Sequence, residues 1–347
     1  GHTPEGITNL AENNEDSSEP VKMITGDTLF IGDVGRPDLV GSKGFTAQQM
    51  ASMLYDSLTE KILPLPDETE VYPAHGAGSL CGKSLSKETW STLGEQKKSN
   101  YALKPMTKEE FIETVAADQP EVPAYFPVSA SQNLKGSASL EDLPKPKQFS
   151  TEEVEKFDGV VLDVRPNTEF GAAHVPNSIN IGLGGQFASW AGTLVSIGTS
   201  IAIVAETEDQ VDEAFMRLAR VGIETVKGFI LMKDFTGETN TIEQVPVEEV
   251  KSLTNTEKYL PFVDVRRVAE HASGHAPRTI NLPLDNLSKE IDKLDPNTPT
   301  YVICQSGYRS SLGTSILENA RFKKVYNVTG GTKAWMDAGF DTEVSAT

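Results

Sequence analysis

Cysteine is nearly absent from this 347-residue chain: Cys81 and Cys304 stand alone, far apart in sequence. That usage builds no disulfide framework and suits a reducing compartment, so a cytoplasmic protein is expected. Basic residues are also scarce. Lys and Arg number 31 against 50 Asp and Glu, a formal net charge of −19. A surface of that sign repels nucleic acid and anionic membrane, and neither is expected as a partner. No apolar run approaches the length of a membrane span, and no leader-like segment opens the chain. The length still allows two or three domains with substantial cores.

What chemistry the chain does carry is concentrated. Cys304 opens the run Cys304-Gln305-Ser306-Gly307-Tyr308-Arg309-Ser310, preceded by apolar Tyr301-Val302-Ile303 and followed by a helix-compatible segment, Ser311 to Ala320. The pattern predicts a strand, a loop and a helix, with a thiol at the strand end and an arginine closing the loop. Gly307 lets the backbone curl so that N–H groups converge on the sulfur. The helix N-terminus adds partial positive charge there, and Arg309 braces the loop. Such a cradle stabilises an anion, whether a thiolate or a terminal persulfide. A buried structural cysteine is the bland alternative, and the Gly and Arg at these offsets argue against it.

The run resembles the Cys-x-x-Gly-x-Arg active loop of rhodanese-type sulfurtransferases. Related phosphatases carry one more residue between Cys and Arg, giving a ring wide enough for phosphate. Only Gln305, Ser306, Gly307 and Tyr308 separate Cys304 from Arg309, the tighter ring that fits one sulfur atom. The resemblance implies that Cys304 is the nucleophile, Arg309 its catalytic partner, and the four residues between them the active loop.

An internal repeat frames this loop. Leu162-Asp163-Val164-Arg165 and Val263-Asp264-Val265-Arg266 share a spacing that also carries Glu169 onto Glu270, His174 onto His275, Pro176 onto Pro277 and Ile179-Asn180 onto Ile280-Asn281. Both copies read as α/β units of the rhodanese pattern with parallel strands. Aligning Val226 with Val325 places Ala205 opposite Cys304, and Ala205-Glu206-Thr207-Glu208-Asp209 has neither Gly nor Arg. The first copy is therefore expected to be catalytically silent and to dock its neighbours. Glu206, Glu208 and Asp209 read as a solvated loop, and His174 and His275 as turn-stabilising side chains before proline.

The amino-terminal portion gathers metal-type residues. His2 lies in Gly1-His2-Thr3-Pro4-Glu5-Gly6, Asp27 follows Ile24-Thr25-Gly26, and His75 closes Val71-Tyr72-Pro73-Ala74-His75-Gly76. Each sits at a predicted strand end beside glycine or proline. The set resembles the metallo-β-lactamase fold. Gly35-Arg36-Pro37-Asp38, Asn100-Tyr101-Ala102-Leu103 and Glu109-Glu110-Phe111 resemble its persulfide dioxygenase branch more than its glyoxalase II branch. That branch implies a mononuclear Fe(II) held by two histidines and one aspartate. His2 and Asp27 are then ligands, and His75 is a spare or second-metal position. Arg36 and Asp38 are expected at the substrate pocket. Cys81, in Gly78-Ser79-Leu80-Cys81-Gly82-Lys83, is a candidate sulfur relay. The family's H-x-H-x-D-H motif does not occur in this sequence, so the chain reads as the carboxy-terminal part of a longer fusion protein.

The expected fold class is α/β. A partial metallo-β-lactamase αββα sandwich over residues 1–126 and a linker over 127–148, rich in Ser, Pro and charge, precede a silent rhodanese-like domain over 149–238 and an active one over 243–347. The whole resembles a persulfide dioxygenase–rhodanese fusion in sulfide detoxification. Low-molecular-weight thiol persulfides, sulfite and thiosulfate are the expected partners, and homo-oligomers are left open. The alternatives are a glyoxalase II-like thioester hydrolase, for which zinc would replace iron, and a non-catalytic sulfur-carrier module.

Overall fold

The structure, a computed structural model, describes residues 2–16, 18–41, 44–76, 81–82, 85–117, 119, 122, 125–136, 139–254 and 260–345. The chain divides into two compact units, Gly1–Val122 and Pro123–Thr347. Among the described residues no helix is long and apolar enough to cross a membrane.

The first unit holds a four-stranded sheet of β1 (Asn9–Ala11), β2 (Lys22–Gly26), β3 (Glu70–Pro73) and β4 (Ser91–Thr92), in that spatial order. Its central pair, β2 and β3, is parallel, and both outer pairs are antiparallel. Among the described residues, the α-helices α1 (Ala47–Ser57), α2 (Leu93–Ser99) and α3 (Lys108–Ala116) accompany it. Thr46 and Thr107 start α1 and α3 with reciprocal capping boxes, which satisfy amide groups that the helix leaves unpaired. Met23, Leu29, Leu54, Leu58, Val71, Leu93 and Phe111 form its buried core.

In the second unit both copies build a five-stranded, all-parallel sheet with the same strand order. The first comprises β5 (Lys147–Gln148), β6 (Val160–Asp163), β7 (Ile179–Asn180), β8 (Ile201–Ala205) and β9 (Val226–Leu231), and the second β10 (Glu243–Val245), β11 (Phe262–Asp264), β12 (Ile280–Asn281), β13 (Thr300–Ile303) and β14 (Val325–Val328). Parallel strands buried on both faces should be continuously apolar, and Ile201–Ala205 is buried at all five positions. The helices are α4 (Phe126–Lys135), α5 (Thr151–Glu155), α6 (Asn167–Ala172), α7 (Phe187–Leu194) and α8 (Glu208–Ala219), then α9 (Val247–Thr254), α10 (Val268–Ser273), α11 (Leu287–Glu290), α12 (Tyr308–Asn319) and α13 (Gly331–Asp337). One buried cluster runs from Leu162, Ile181 and Phe187 of the first copy to Leu282, Val302 and Leu312 of the second, so the two copies share a core.

Three expectations change. The stretch read as a linker contains α4, and Lys147–Gln148 joins the first sheet beside β9. Pro127 sits in the first turn of α4, where its missing N–H costs nothing, and buried Tyr125 anchors the helix in the shared core. The helix after the active loop begins at Tyr308, not at Ser311, which puts Arg309 in its first turn. Glu206 is not simply solvated: its carboxylate pairs with Arg165 at 3.0 Å.

Candidate functional site

Cys304 leaves the buried strand β13 and is itself almost fully enclosed. The Gly307 N–H donates to its Sγ at 3.2 Å, and the Ser310 hydroxyl donates at 3.4 Å. Gly307 makes this turn with φ +96°, a left-handed conformation that only glycine adopts without strain, and it is also the N-cap of α12. The loop carbonyls are held by other partners. Thr332 N–H takes the Cys304 carbonyl at 2.7 Å, Lys333 N–H that of Gln305 at 3.1 Å, and the Asn327 amide that of Gly307 at 3.2 Å. The sulfur therefore sits at the start of a 12-residue helix, on the donor side of its loop.

Arg309 does not reach over the sulfur as a free cation. Its two terminal nitrogens donate to the two carboxylate oxygens of Glu270 at 2.7 Å each, a bidentate clamp between the loop and α10. Burial alone would raise the Glu270 pKa, but the Arg309 hydrogen bonds and charge outweigh it and hold the carboxyl below its ordinary range. The Glu270 carboxylate also accepts from the Arg267 N–H at 3.2 Å. Gln305 and Ser306, the remaining loop residues, are exposed.

The first copy carries the same scaffold with other residues at these positions. Asp163 and Arg165 form the same buried ion pair as Asp264 and Arg266, each closing at 2.7 Å. Arg266 then reaches toward Gln305 at 3.5 Å, whereas Arg165 meets Glu206 at 3.0 Å. Glu206 thus occupies the place of Gln305, and Ala205, at the end of β8, the place of Cys304. The paired histidines diverge as well. Each directs Nδ1 at a carbonyl four residues earlier, but Nε2 of His174 faces Glu318 of α12 at 2.8 Å, while that of His275 faces Glu343 at 3.7 Å.

In the first unit, β2 and β3 are parallel neighbours, so the residues that follow them, Asp27 and His75, emerge at the same sheet end. His75 Nε2 lies 3.3 Å from Asp27 Oδ1, and buried His2 places Nε2 3.8 Å from Oδ2. Cys81 joins them: ligand atoms of Asp27, His75 and Cys81 all lie within 4.8 Å of one another. Its neighbours Gly78, Ser79, Leu80 and Lys83 lie outside the described residues. The close approach of His2 depends on Gly35, where a Cβ would stand 2.7 Å from the imidazole Cγ. Arg36 is enclosed and holds Asp38 through Nε at 3.0 Å and Nη2 at 2.7 Å, while its N–H holds the Cys81 carbonyl at 3.1 Å. The Arg36 side chain is shut away from solvent, and its backbone N–H ties it to Cys81. Asp38 is its partner and keeps about a fifth of its side chain exposed.

These residues suit a divalent transition metal. Imidazole, carboxylate and thiol donors converge, and His2 Nδ1 is a buried nitrogen without a hydrogen-bond partner. Burial holds the His2 imidazole below its ordinary value despite Asp27, keeping it in the neutral form that a metal requires. The Asp27 carboxylate and the Cys81 thiol hydrogen-bond to His75 and push it up to about 10, so a metal would have to displace a proton there. Ser310, Glu270 and Gly35 are contributors whose roles the sequence did not announce. Only the match of Glu270 to Glu169 in the repeat could have marked the clamp residue.

A rhodanese-like domain model matches residues 147–232 and again 246–338, just over half of the chain. The chain is 31% identical over 124 residues to thiosulfate sulfurtransferase 18 of Arabidopsis thaliana, covering 32% of this chain and 91% of that protein. It is 31% identical over 96 residues, 28% of this chain, to YrkF of Bacillus subtilis (strain 168), a protein named for a sulfur-carrier role. The crystal structure of a metallo-β-lactamase from Staphylococcus aureus subsp. aureus COL superposes with a TM-score of 0.57 at 27% identity, covering 67% of this chain. The chain spans 52% of YrkF and 63% of the staphylococcal protein. With two family matches bracketing the cysteine cradle and its altered twin, the chain belongs to the rhodanese-like domain family.

Proposed function

We propose that the chain is a sulfurtransferase acting through Cys304, joined to a metal-binding domain of the persulfide dioxygenase kind, and that it serves sulfide and persulfide detoxification. The carrying observation is the convergence of the Gly307 N–H and the Ser310 hydroxyl on Cys304 Sγ at the start of α12. The family match and the similarity to an Arabidopsis thiosulfate sulfurtransferase support it. In this reading the Cys304 thiolate attacks the sulfane sulfur of a low-molecular-weight persulfide or of thiosulfate. A new S–S bond forms as the donor's breaks, and the donor leaves as a thiolate or as sulfite. The terminal sulfur carried by Cys304 lies on the donor side of the loop. An acceptor such as sulfite then attacks that sulfur, departs as thiosulfate and returns the thiolate.

His2 and Asp27 would be two ligands of a single Fe(II), with His75 at a spare or second-metal position and the Cys81 thiol beside them as a candidate to receive sulfur. The staphylococcal metallo-β-lactamase likeness supports a metal there. When bound, the ion supplies oxygen activation for oxidising a persulfide to sulfite. The protein side provides neutral His2, the Asp27 carboxylate and Arg36, whose backbone N–H holds the Cys81 carbonyl. One observation favours a second reading: Cys81 completes a sulfur-containing donor set with Asp27 and His75, which suits zinc and a hydrolase of the glyoxalase II kind. One iron per chain supports the oxygenase, and two metals the hydrolase.

Sulfur transfer from thiosulfate to cyanide tests the central claim. Cys304→Ser should abolish it, whereas Cys81→Ser, altered in the other unit, should keep most of it. Substantial turnover in Cys304→Ser would refute the assignment. A chain that accepts sulfur on Cys304 but never turns over would instead be a carrier.

A further inference from the structure

Helix α12 belongs to the active copy, yet its first turn is held by the silent one. The Tyr308 hydroxyl donates to the Gly182 carbonyl at 2.8 Å, and its ring lies so close to Gly185 that a Cβ there would stand 2.5 Å from Cζ. Burial pushes the Tyr308 phenol above its ordinary value, which keeps it a donor. The receiving segment is itself pinned. Arg217 of α8 donates to the Leu183 carbonyl at 2.7 Å and the Gly185 carbonyl at 3.1 Å. One residue past Ser310, the Ser311 hydroxyl donates to the Asn180 side-chain oxygen at 2.6 Å. The Asn180 amide nitrogen in turn donates to the carbonyls of Asp163 and Arg165 at 3.2 and 2.9 Å, which ties it to the end of β6. At the far end of α12, His174 and Asn240 both hold the Glu318 carboxylate.

We propose that the cysteine-less copy is a working half of the Cys304 site, in which Gly182 and Asn180 hold Tyr308 and Ser311 as positioning residues and so keep the Gly307 N–H and the Ser310 hydroxyl on the sulfur. Tyr308 and Ser311 flank Arg309 and Ser310 directly, so a shift of the first helical turn moves both groups that grip the loop. This deepens the reading of Cys304 as the sulfur-transfer nucleophile and rests on it. It assigns the silent copy a purpose that its missing cysteine alone does not explain: the scaffold was kept because the neighbouring loop leans on it.

The test uses the full chain with Tyr308→Phe, which keeps the ring, and Ser311→Ala. Ser315→Ala is the matched control, because Ser315 accepts from the Asn180 N–H at 3.2 Å in the same interface but one turn further from the loop. Two quantities are read: thiosulfate-to-cyanide turnover, and the rate of Cys304 alkylation by iodoacetamide against pH, with the Cys304 peptide resolved by mass spectrometry. Tyr308→Phe and Ser311→Ala should each lower kcat about fivefold to tenfold with KM little changed, the effect of one lost hydrogen bond. Each should also displace the alkylation profile upward by about half a unit to one unit. Ser315→Ala should lower the melting temperature alone. Profiles that overlay the wild type, or a displacement in Ser315→Ala as large as in Ser311→Ala, would overturn the proposal. Should Ser311→Ala not fold, Tyr308→Phe carries the test. If the wild type transfers no sulfur, the sulfurtransferase reading fails, yet the alkylation profiles still decide the positioning role.

Discussion

Arg309→Lys separates charge from geometry at the active loop. The wild-type guanidinium makes two parallel hydrogen bonds of 2.7 Å to Glu270, and a lysine ammonium can match the charge but not the fork. At least one charge-assisted bond is lost, worth about 1.5–3 kcal/mol when shielded from water. Glu270 keeps 36% of its side chain exposed and Arg309 16%, so solvent screening places the effect toward the lower end. A loss of about 1.4 kcal/mol corresponds to about tenfold in rate if the whole of it falls on the loop's reactive geometry. Initial rates of thiosulfate-to-cyanide transfer, with thermal melting as a control for folding, measure it. Arg309→Lys should fall about tenfold or more, and Arg309→Gln further, since it leaves the Glu270 carboxylate without its cation. Near-wild-type turnover in Arg309→Lys would show that a positive charge alone suffices and that the bidentate clamp has no catalytic consequence.

The same clamp gives a pH signature. Because Glu270 titrates below its ordinary value of 4.5, its stabilisation is fully present above that value and is lost as pH falls through the lower folded value. Urea midpoints measured from about pH 6 down to about pH 3 should therefore fall less steeply in Glu270→Gln than in the wild type, and parallel curves would refute the linkage. Trp335 is wholly buried, donates its indole N–H to the Asp341 carbonyl at 2.9 Å and packs edge-on against Phe340. Trp335→Ala should cost about 3–5 kcal/mol in urea unfolding, and a loss under about 1 kcal/mol would remove it from the core. In the first unit, His75 is pushed up to about 10 and binding a metal must release its proton. Zinc affinity by chelator competition should rise with pH and collapse in Asp27→Ala; a pH-independent affinity would exclude His75 as a ligand.

How far the sequence could be read depended on how locally each feature was encoded. The Cys304 loop was legible because strand, glycine, arginine and helix are contiguous, and a few residues suffice to set the donor side of a turn. Even there the helix begins earlier than its apolar pattern suggests, since Gly307 in a left-handed conformation lets Tyr308 enter the first turn. The repeat was legible because the buried Asp–Arg pair recurs in both copies, whose sheets share one strand order. Composition misread the linker: its serines and prolines did suggest a loop, but Tyr125 had a place in the core and Pro127 a harmless first-turn position, so packing overrode propensity. What stayed hidden was what distance in sequence hides. Glu270 stands 39 residues from Arg309, and His174 stands 144 from Glu318. Neither pair has a periodic or spacing signal, because only the folded topology brings them together. A rhodanese copy without its cysteine read in sequence only as a silent domain that docks its neighbours. The hydrogen bonds from Tyr308 and Ser311 to Gly182 and Asn180 tie the first turn of α12 to that copy, a link that no local sequence pattern announces.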